Sequence, residues 1–138
     1  MALHVRSGDY LTDTSVAHLV EPCPEHYYLR ALAEMRPRVG NLHTLVFSDD
    51  PAWVSAQSWF DARCSLMTNP DLDDPTPELQ LMSACTHHII SNSTFSWWSA
   101  WLADSQPDHQ VIAPRTWFKP GNARRGDSDI VPERWTRM

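Results

Sequence analysis

The chain has 138 residues, of which 42% are hydrophobic and 20% are charged, and its formal net charge is −6. This length supports one hydrophobic core but leaves no residues for a second domain of ordinary size. The acidic balance argues against a nucleic-acid coat or a lipid-surface patch, so any anionic ligand must be held locally. The three cysteines show no CxxC spacing, which indicates neither a disulfide framework nor a zinc site and fits a reducing compartment.

No segment of the sequence resembles a membrane span or an export signal. The longest apolar run, residues 96–103, is far shorter than the ~20 residues that a bilayer span needs. The first residues lack a basic stretch followed by an apolar run and a cleavage site. We therefore expect a cytoplasmic protein with no membrane span.

Short apolar runs alternate with amphipathic stretches along the whole chain. The predicted strands are residues 2–5, 42–47, 64–67, 88–91 and 110–113. Between them, helical spacing of apolar residues predicts helices at residues 24–37, 51–60, 76–85 and 95–103, and residues 7–23 are predicted to form a loop. Strand and helix alternate about five times, which predicts an α/β fold with a doubly wound, Rossmann-like parallel sheet.

Prolines and short polar residues mark the ends of these predicted helices. Pro24 suits a first helical turn, and Pro37 is expected to end that helix. Asp50 followed by Pro51 predicts an N-cap, and Thr76 is expected to cap its helix in the same way.

Polar loops follow three of the predicted strands, at residues 6–10, 48–50 and 91–96. Open parallel sheets bind ligands at the carboxyl ends of their strands, where loops and helix N-termini meet. We therefore expect the functional residues to lie in these three loops.

The first loop contains residues that suit an anion. His4 and Arg6 lie two positions apart, so on a strand they point to the same side, and Gly8 allows a sharp turn behind them. An arginine fork can donate two parallel hydrogen bonds to a phosphate. The residues alone favour a simpler interpretation, in which Arg6 pairs with Asp9 to hold the turn and His4 is a buried core residue.

The loop at residues 91–96 opens a helix with small hydroxyl and amide side chains. Free N–H groups of a first helical turn bind anions readily. On spacing alone, ordinary N-capping by Ser93 or Thr94 is the simpler interpretation. The loop lacks the lysine of a Walker A motif, and it is not the GxSxG turn of a serine hydrolase.

Acidic and histidine residues elsewhere have both structural and functional interpretations. Capping explains Asp50, which leaves Asp49 freer to bind ribose or a base. Glu78 lies in a first helical turn, where the helix dipole favours a carboxylate in any case. His87 and His88 are adjacent on a strand and face opposite ways, so a shared metal ion is not expected.

Three tryptophans in one predicted helix suggest a platform for a sugar ring, at Trp97, Trp98 and Trp101. Aromatic residues at helical spacing are more often part of a core. We therefore expect at least two of the three to be buried.

Four ordered blocks of sequence carry a family resemblance across nearly the whole chain. Residues 4–10 are similar to an HxRRGDY block, and residues 47–54 to an FSDDxxWV block. Residues 78–102 are similar to DMQLMSxC followed by HxIIANSSFSWWGAWL, and residues 111–135 fit the tail that follows. These blocks resemble the C-terminal, donor-binding half of the bacterial-type galactoside α-1,2-fucosyltransferases, glycosyltransferase family 11.

The resemblance implies transfer of L-fucose from GDP-fucose to the 2-hydroxyl of a galactoside, with inversion and without a metal or other cofactor. It implies GDP-fucose and a galactose-containing oligosaccharide acceptor as partners, and no nucleic acid. It also allows peripheral association with membrane-linked glycan acceptors at the inner membrane face. The implied fold is the donor-binding half of a two-domain GT-B enzyme. Because only residues 1–3 precede His4, we expect residues 1–138 to be one domain without the acceptor-side domain.

The resemblance also assigns residues. It implies that Arg6 contacts the donor pyrophosphate, that His4 and either Asp49 or Asp50 hold the guanosine, and that the loop at residues 93–96 holds the phosphates. The expected donor-binding residues are His4, Arg6, Asp49, Asp50, Glu78, Asn92, Ser93, Thr94, Phe95 and Ser96. The expected catalytic residues are Arg6, which stabilises charge on the leaving diphosphate, and Asp9, which acts as a general base or orients Arg6.

Two departures from the family pattern bear on these expectations. Ser7 stands where the family usually has a second arginine, and Glu78 replaces an aspartate. With the acceptor-side domain expected to be absent, the alternative to an enzyme is a GDP-sugar binding module that needs a partner chain.

Overall fold

Six strands form one parallel sheet in the computed structural model, which describes residues 1–8, 10, 13–69, 73–119 and 129–138. The strands are β1 (Ala2–Val5), β2 (Thr44–Ser48), β3 (Cys64–Met67), β4 (His87–Ile89), β5 (Gln110–Ala113) and β6 (Thr136–Arg137). The helices are α1 (Thr14–Ala17), α2 (Glu25–Val39), α3 (Pro51–Ser55), α4 (Thr76–Ser83) and α5 (Thr94–Leu102).

The strand order is β3-β2-β1-β4-β5-β6, which confirms the predicted parallel α/β sheet. Ala2 of β1 pairs with Leu45 of β2 on one side and with His88 of β4 on the other. The chain therefore runs outward from β1 in one direction and from β4 in the other. The crevice between the carboxyl ends of β1 and β4 is the switch point at which sheets of this order bind ligands.

Apolar side chains cover both faces of the sheet. One core joins Leu3 and Val5 of β1 to Tyr28, Leu32 and Met35 of α2. On the other face, smaller clusters join the sheet to α4, α5 and the C-terminal segment. Successive side chains of β1 point to opposite faces of the sheet. Leu3 therefore points toward α2, whereas Ala2 and His4 point toward α5.

The structure corrects several predicted boundaries. Pro37 lies inside α2, which continues to Val39 and ends at Gly40, where φ is +78°. Because Pro37 lies two residues from the helix end, its missing N–H removes a bond only in the last turn. The predicted loop at residues 7–23 contains α1, and β6 adds a strand that the sequence did not predict.

Helix capping agrees with prediction at one helix and differs at another. The carboxylate of Asp50 accepts the N–H of Trp53 at 3.0 Å and so caps α3, which ends at Ser55 rather than near residue 60. Thr76 is the first residue of α4, not its cap, and its N–H donates to the Asp74 carboxylate at 2.9 Å. The predicted start of α4 is therefore correct, but the side chain that accepts its first N–H is that of Asp74, two residues before Thr76.

The expectation that two of three helical tryptophans are buried is wrong. Trp98 and Trp101 are 52% and 41% exposed, and only Trp97 packs against a core cluster. Trp101 stacks on Trp97, and the Arg134 guanidinium lies 4.7 Å from the centre of its ring. α5 packs into the core through small residues such as Ala100, and it leaves Trp98 and Trp101 on its solvent side.

Within the described residues, Cys23, Cys64 and Cys85 are free thiols. No helix in that part of the chain is both long and apolar enough to cross a membrane.

Candidate functional site

A cavity of about 610 Å³ opens at the carboxyl ends of β1, β2, β3 and β4. We call it the switch-point cavity. It brings together eight residues that the sequence and the resemblance single out: His4, Arg6, Asp49, Glu78, Asn92, Ser93, Thr94 and Phe95. The three polar loops predicted to gather at this edge therefore line one space.

The loop after β1 is clamped by the carboxylate of Asp49, at the end of the neighbouring strand. One Asp49 oxygen accepts the N–H of Ser7 at 3.0 Å, and the other accepts the N–H of Gly8 at 3.0 Å. Arg6 Nε lies 3.4 Å from Asp49 Oδ2. A Cβ at position 8 would lie 3.1 Å from Asp49 Oδ2, so any larger residue would push the carboxylate away by a few tenths of an ångström.

This clamp sets the direction of the Arg6 guanidinium. Asp49 lies on the Nε side of the fork, and the Arg6 side chain is 34% exposed in the cavity wall. Ser7 is buried, and its hydroxyl lies 3.4 Å from an oxygen of Asp50. Serine at position 7 thus ties the loop to the α3 cap, at the place where the family usually has a second arginine.

His4 is held at the floor of the cavity. Its Nδ1 lies 2.8 Å from the Ser91 hydroxyl, and its ring centre lies 5.8 Å from that of Phe95. The side chain is 3% exposed. His4 is therefore buried, as the simpler interpretation of the sequence predicts, and it also lines the cavity.

The loop after β4 is locked by Asn92, which is 3% exposed. Its amide nitrogen donates to the carbonyl oxygens of Glu21 and Trp117, at 3.0 and 3.1 Å. Its amide oxygen accepts the Cys23 thiol at 3.5 Å, and burial raises the pKa of that thiol to about 11, so the donor stays protonated. Tyr10 donates to the Asn92 carbonyl oxygen at 2.9 Å. Both N–H groups of the Asn92 side chain are therefore used within the chain, and neither is available to a ligand.

The N-terminus of α5 faces the same cavity without a side-chain cap. Ser93 occupies the cap position, and its side chain makes no capping bond. The Ser96 hydroxyl bonds back to the carbonyl oxygens of Ser91 and Ser93 instead. The capping interpretation of this loop is therefore wrong, and the positive end of the α5 dipole is open to an anion.

Glu78, in the first turn of α4, is the remaining acid in the cavity wall. Partial burial raises the pKa of its carboxyl group, the Arg6 charge opposes this, and the Asp49 charge adds to it. Whereas Asp49 is occupied by the loop, no hydrogen bond to the Glu78 carboxylate is made within the described residues. Glu78 is thus a carboxylate available to a ligand.

Two of the predicted site residues that the structure describes, Asp50 and Ser96, do not line this cavity. Asp50 is used by the α3 cap, and Ser96 is buried with its hydroxyl turned to the backbone. Asp9 lies outside the described residues. The Arg6–Asp9 ion pair therefore stays a prediction, and the described residues show a pair between Arg6 and Asp49.

The cavity also has walls that the sequence did not single out. Trp117 and Phe118, after β5, close one side, and Asn69 and Met67 contribute elsewhere. Position was the available signal, because Trp117 and Phe118 follow the carboxyl end of a strand, as do the residues that were predicted. No group of three metal-ligating side chains occurs in the parts of the chain that the structure describes.

This arrangement can bind an anion next to a polar, partly aromatic compartment. Arg6 and the open α5 N-terminus supply positive charge and N–H donors. His4 and Glu78 supply groups that can read the donor and acceptor edges of a base. A nucleoside diphosphate needs both kinds of group.

Comparison with known proteins gives a consistent assignment. Residues 1–137 match the profile of Glycosyl transferase family 11. The chain is 34% identical over 137 residues to the O-antigen biosynthesis glycosyltransferase WbnK of Escherichia coli, covering 99% of this chain and 44% of that protein. It is 32% identical over 139 residues to an alpha-1,2-colitosyltransferase of Escherichia coli, covering 100% of this chain and 47% of the relative.

A mammalian relative extends the comparison. The chain is 25% identical over 133 residues to the galactoside 2-alpha-L-fucosyltransferase Sec1 of Mus musculus, with 87% of this chain and 36% of that protein covered. The chain therefore spans less than half the length of these relatives. No solved structure matches it. The family profile and the two bacterial relatives cover nearly every residue, so the chain belongs to glycosyltransferase family 11.

Proposed function

We propose that this chain binds GDP-L-fucose in the switch-point cavity. It would form the donor-binding half of an inverting α-1,2-fucosyltransferase of the GT-B type that acts on the 2-hydroxyl of a galactoside. The observation that carries the proposal is the placement of Arg6 and the uncapped α5 N-terminus in one cavity, at the crevice where the strand order reverses.

The chemistry explains why this charge is needed. Cleavage of the bond between fucose C1 and the phosphate oxygen leaves negative charge on GDP while the sugar becomes oxocarbenium-like. Groups that are already oriented toward that charge stabilise the transition state most. Arg6 is held by Asp49 before any ligand binds, and the α5 dipole is fixed by the fold, so both fit this role without a metal ion.

The base would lie on the His4 and Glu78 side of the cavity. A carboxylate accepts the N–H groups on one edge of guanine, and Glu78 is free for that purpose whereas Asp49 is occupied. In this proposal Asp49 acts through Arg6 and the loop amides rather than through the guanosine. The resemblance assigned contact with the guanosine to Asp49 or Asp50, and this proposal assigns that contact to Glu78.

The donor sugar and the occupancy of the site need separate tests. The colitosyltransferase relative makes a colitosyl donor the second candidate, and competition between fucosyl and colitosyl nucleotides for the cavity decides between them. Because the chain spans less than half of its relatives, transfer itself is part of the proposal.

Isothermal titration calorimetry with GDP, UDP and ADP tests the nucleotide site. We expect GDP to bind most tightly and Arg6→Ala to weaken it by roughly 10- to 100-fold, since a hydrogen bond to a charged group contributes ~1.5–3 kcal/mol. Arg63→Ala is the matched control, because Arg63 pairs with Asp61 outside the cavity. Equal binding by Arg6→Ala and the parent chain would show that the phosphate role of Arg6 is wrong.

Transfer is tested by incubating the chain with GDP-fucose and lactose and by looking for a 2-fucosylated product by NMR. Product formation that Arg6→Ala reduces by about 10²- to 10³-fold supports a catalytic donor half. Tight GDP binding with no product favours a binding module that needs a partner chain.

A further inference from the structure

A second cavity, of about 390 Å³, opens beside the switch-point cavity on the side of α2. The two cavities share Asn92, Trp117 and Phe118 as wall residues. Since Asn92 and Trp117 are joined by a hydrogen bond of 3.1 Å, this wall is a fixed partition. A molecule in the second cavity would therefore be the neighbour of a molecule in the first.

Three cationic side chains, those of Arg30, Arg115 and Lys119, line the second cavity. Arg30 of α2 and Arg115 after β5 are exposed, and neither forms an ion pair within the described residues. Lys119 donates one hydrogen bond to a carbonyl oxygen of α1, at 2.6 Å. Glu21 is the one acidic side chain among the described lining residues. The main-chain N–H of Arg115, not its guanidinium, donates to the main-chain oxygen of Met138 at 2.6 Å. Arg30 and Arg115 thus keep their full donor capacity for an oxyanion.

The N-terminus of α2 lies beside these cations, and Glu25 in its first turn is outside the cavity lining. α2 has 15 residues and begins after Pro24, which provides no side-chain cap. Pro24 and Tyr27 both line the cavity, so the positive end of the α2 dipole lies at its wall. Pro22, Trp117 and the Tyr27 ring give the rest of the wall an apolar character. Ligand sites for polar molecules commonly combine such apolar walls with a few fixed charges.

We propose that this second cavity binds an anionic sugar, with a carboxylate or phosphate group, as part of the acceptor glycan. The inference rests on the proposed function, because it takes the neighbouring cavity as the donor site. Arg30 and Arg115 hold the oxyanion, and the proline and aromatic walls pack against the sugar ring. The preferred acceptor is thereby a galactoside whose glycan carries a carboxylate or phosphate group, a contact that a neutral galactoside such as lactose does not make.

Calorimetry on the GDP-saturated chain tests this with four probes: galacturonic acid, galactose 6-phosphate, galactose and inorganic phosphate. We expect both charged sugars to bind at least about tenfold more tightly than galactose, since charge-assisted hydrogen bonds are the stronger ones. The Arg30→Gln/Arg115→Gln double variant should lose roughly tenfold or more in affinity for the charged sugars. Its affinity for GDP should stay unchanged, which also reports that the chain is folded.

Arg38→Gln is the matched control, because Arg38 lies at the far end of α2 and pairs with Glu34. Each single variant is measured as well, so that one poorly folded protein does not decide the result. Equal binding of galactose and galacturonic acid, or charged-sugar binding that the double variant retains, overturns the proposal. Phosphate that binds as tightly as galactose 6-phosphate overturns the sugar assignment.

The test separates this inference from the proposed function. GDP affinity is measured first, and its absence contradicts the donor site. The charged sugars are then titrated into the GDP-free chain. Binding that depends on Arg30 and Arg115 supports the anionic-sugar site in that case too, and its absence overturns it.

Discussion

The loops after β1 and β4 lie side by side at the switch point, but different kinds of residue hold them in place. Asp49, at the end of the neighbouring strand, clamps the β1 loop through the amides of Ser7 and Gly8. Asn92 belongs to the β4 loop itself and ties it to two carbonyl oxygens elsewhere in the chain. The β1 loop is therefore held by a side chain from a different part of the chain, whereas the β4 loop is held by the side chain of its own Asn92.

Exposure separates the two locks further. Asn92 is 3% exposed, and its amide donates to the carbonyl oxygen of Trp117 in a buried bond that water does not reach. The Asp49 side chain is 21% exposed, and the residue as a whole lies at the surface. Water can replace Asp49 as the acceptor for the β1 loop amides, but not Asn92. We therefore expect the Asn92 lock to contribute to folding and the Asp49 clamp to contribute mainly to ligand binding.

The largest expected effect is on stability, from Asn92→Ala. The substitution leaves the carbonyl oxygens of Glu21 and Trp117 without their donor. The Trp117 bond is buried and the Glu21 bond is partly buried. A buried polar group left unpaired costs ~1–3 kcal/mol, so we expect the free energy of unfolding to fall by roughly 2–3 kcal/mol. Urea denaturation followed by circular dichroism measures it, with an unchanged m-value showing that the transition remains two-state.

Asn41→Ala is the control for this prediction. Asn41 is exposed in the turn after α2, so its loss should change the free energy of unfolding by no more than about 0.5 kcal/mol. If Asn92→Ala unfolds at the same urea concentration as the parent chain, the β4 loop is not held by this amide, and the contrast between the loops disappears.

The next effect is on binding, from Asp49→Asn. The amide that replaces the carboxylate keeps one oxygen, so it can accept from Ser7 or from Gly8 but not from both through separate oxygens. It also removes the charge that orients Arg6. We expect GDP affinity to fall by roughly 10-fold while stability changes by less than about 1 kcal/mol. Calorimetry and urea denaturation on the same samples measure both.

The adjacent carboxylate gives a matched control with the opposite pattern. Asp50→Ala removes the α3 cap, which should cost about 1 kcal/mol of stability and leave GDP affinity nearly unchanged. A double variant of Asp49→Asn with Arg6→Ala should lose less than the sum of the single losses, because the two residues act together. Additive losses would show that the carboxylate does not act through Arg6.

The sequence predicted the sheet better than it predicted the ends of the helices. Strands β1, β3 and β5 occupy the predicted residues, because their apolar runs are short and bounded by polar or turn residues. Strand β6 has only two residues, Thr136 and Arg137, so no periodicity could reveal it. Pro37 was expected to end α2, but a proline in the last turn removes only one hydrogen bond.

For the site, the sequence identified residues but not their partners. Arg6, His4 and Glu78 were expected in one site, and the structure places them in one cavity. The Asp49 clamp was not predicted, since residue 49 and the amides that it accepts are more than forty positions apart in the chain, with separations of 42 and 41. Only the pairing of β1 with β2 brings them together, and that pairing depends on the tertiary fold.

The smallest expected effect concerns Glu78 and pH. Burial raises the pKa of its carboxyl group, so the folded chain holds this proton more tightly than the unfolded chain does. Its contribution to stability therefore decreases as the pH rises from the ordinary pKa through the raised one. We expect Glu78→Gln to be slightly more stable than the parent chain at pH 7, by less than about 1 kcal/mol, in urea denaturation.

Ligand binding should depend on the same group with the opposite sign. If the Glu78 carboxylate accepts N–H groups of guanine, GDP affinity decreases as the pH falls through the raised pKa of Glu78, while stability from this group increases. Glu78→Gln should bind GDP a few-fold more weakly at pH 7 and lose that part of the pH dependence. Because both proteins bind the same GDP, ionisation of the phosphates cancels in the comparison. Parallel pH profiles for the two proteins would exclude Glu78 from base recognition and leave Arg6 and the α5 N-terminus as the groups that hold the nucleotide.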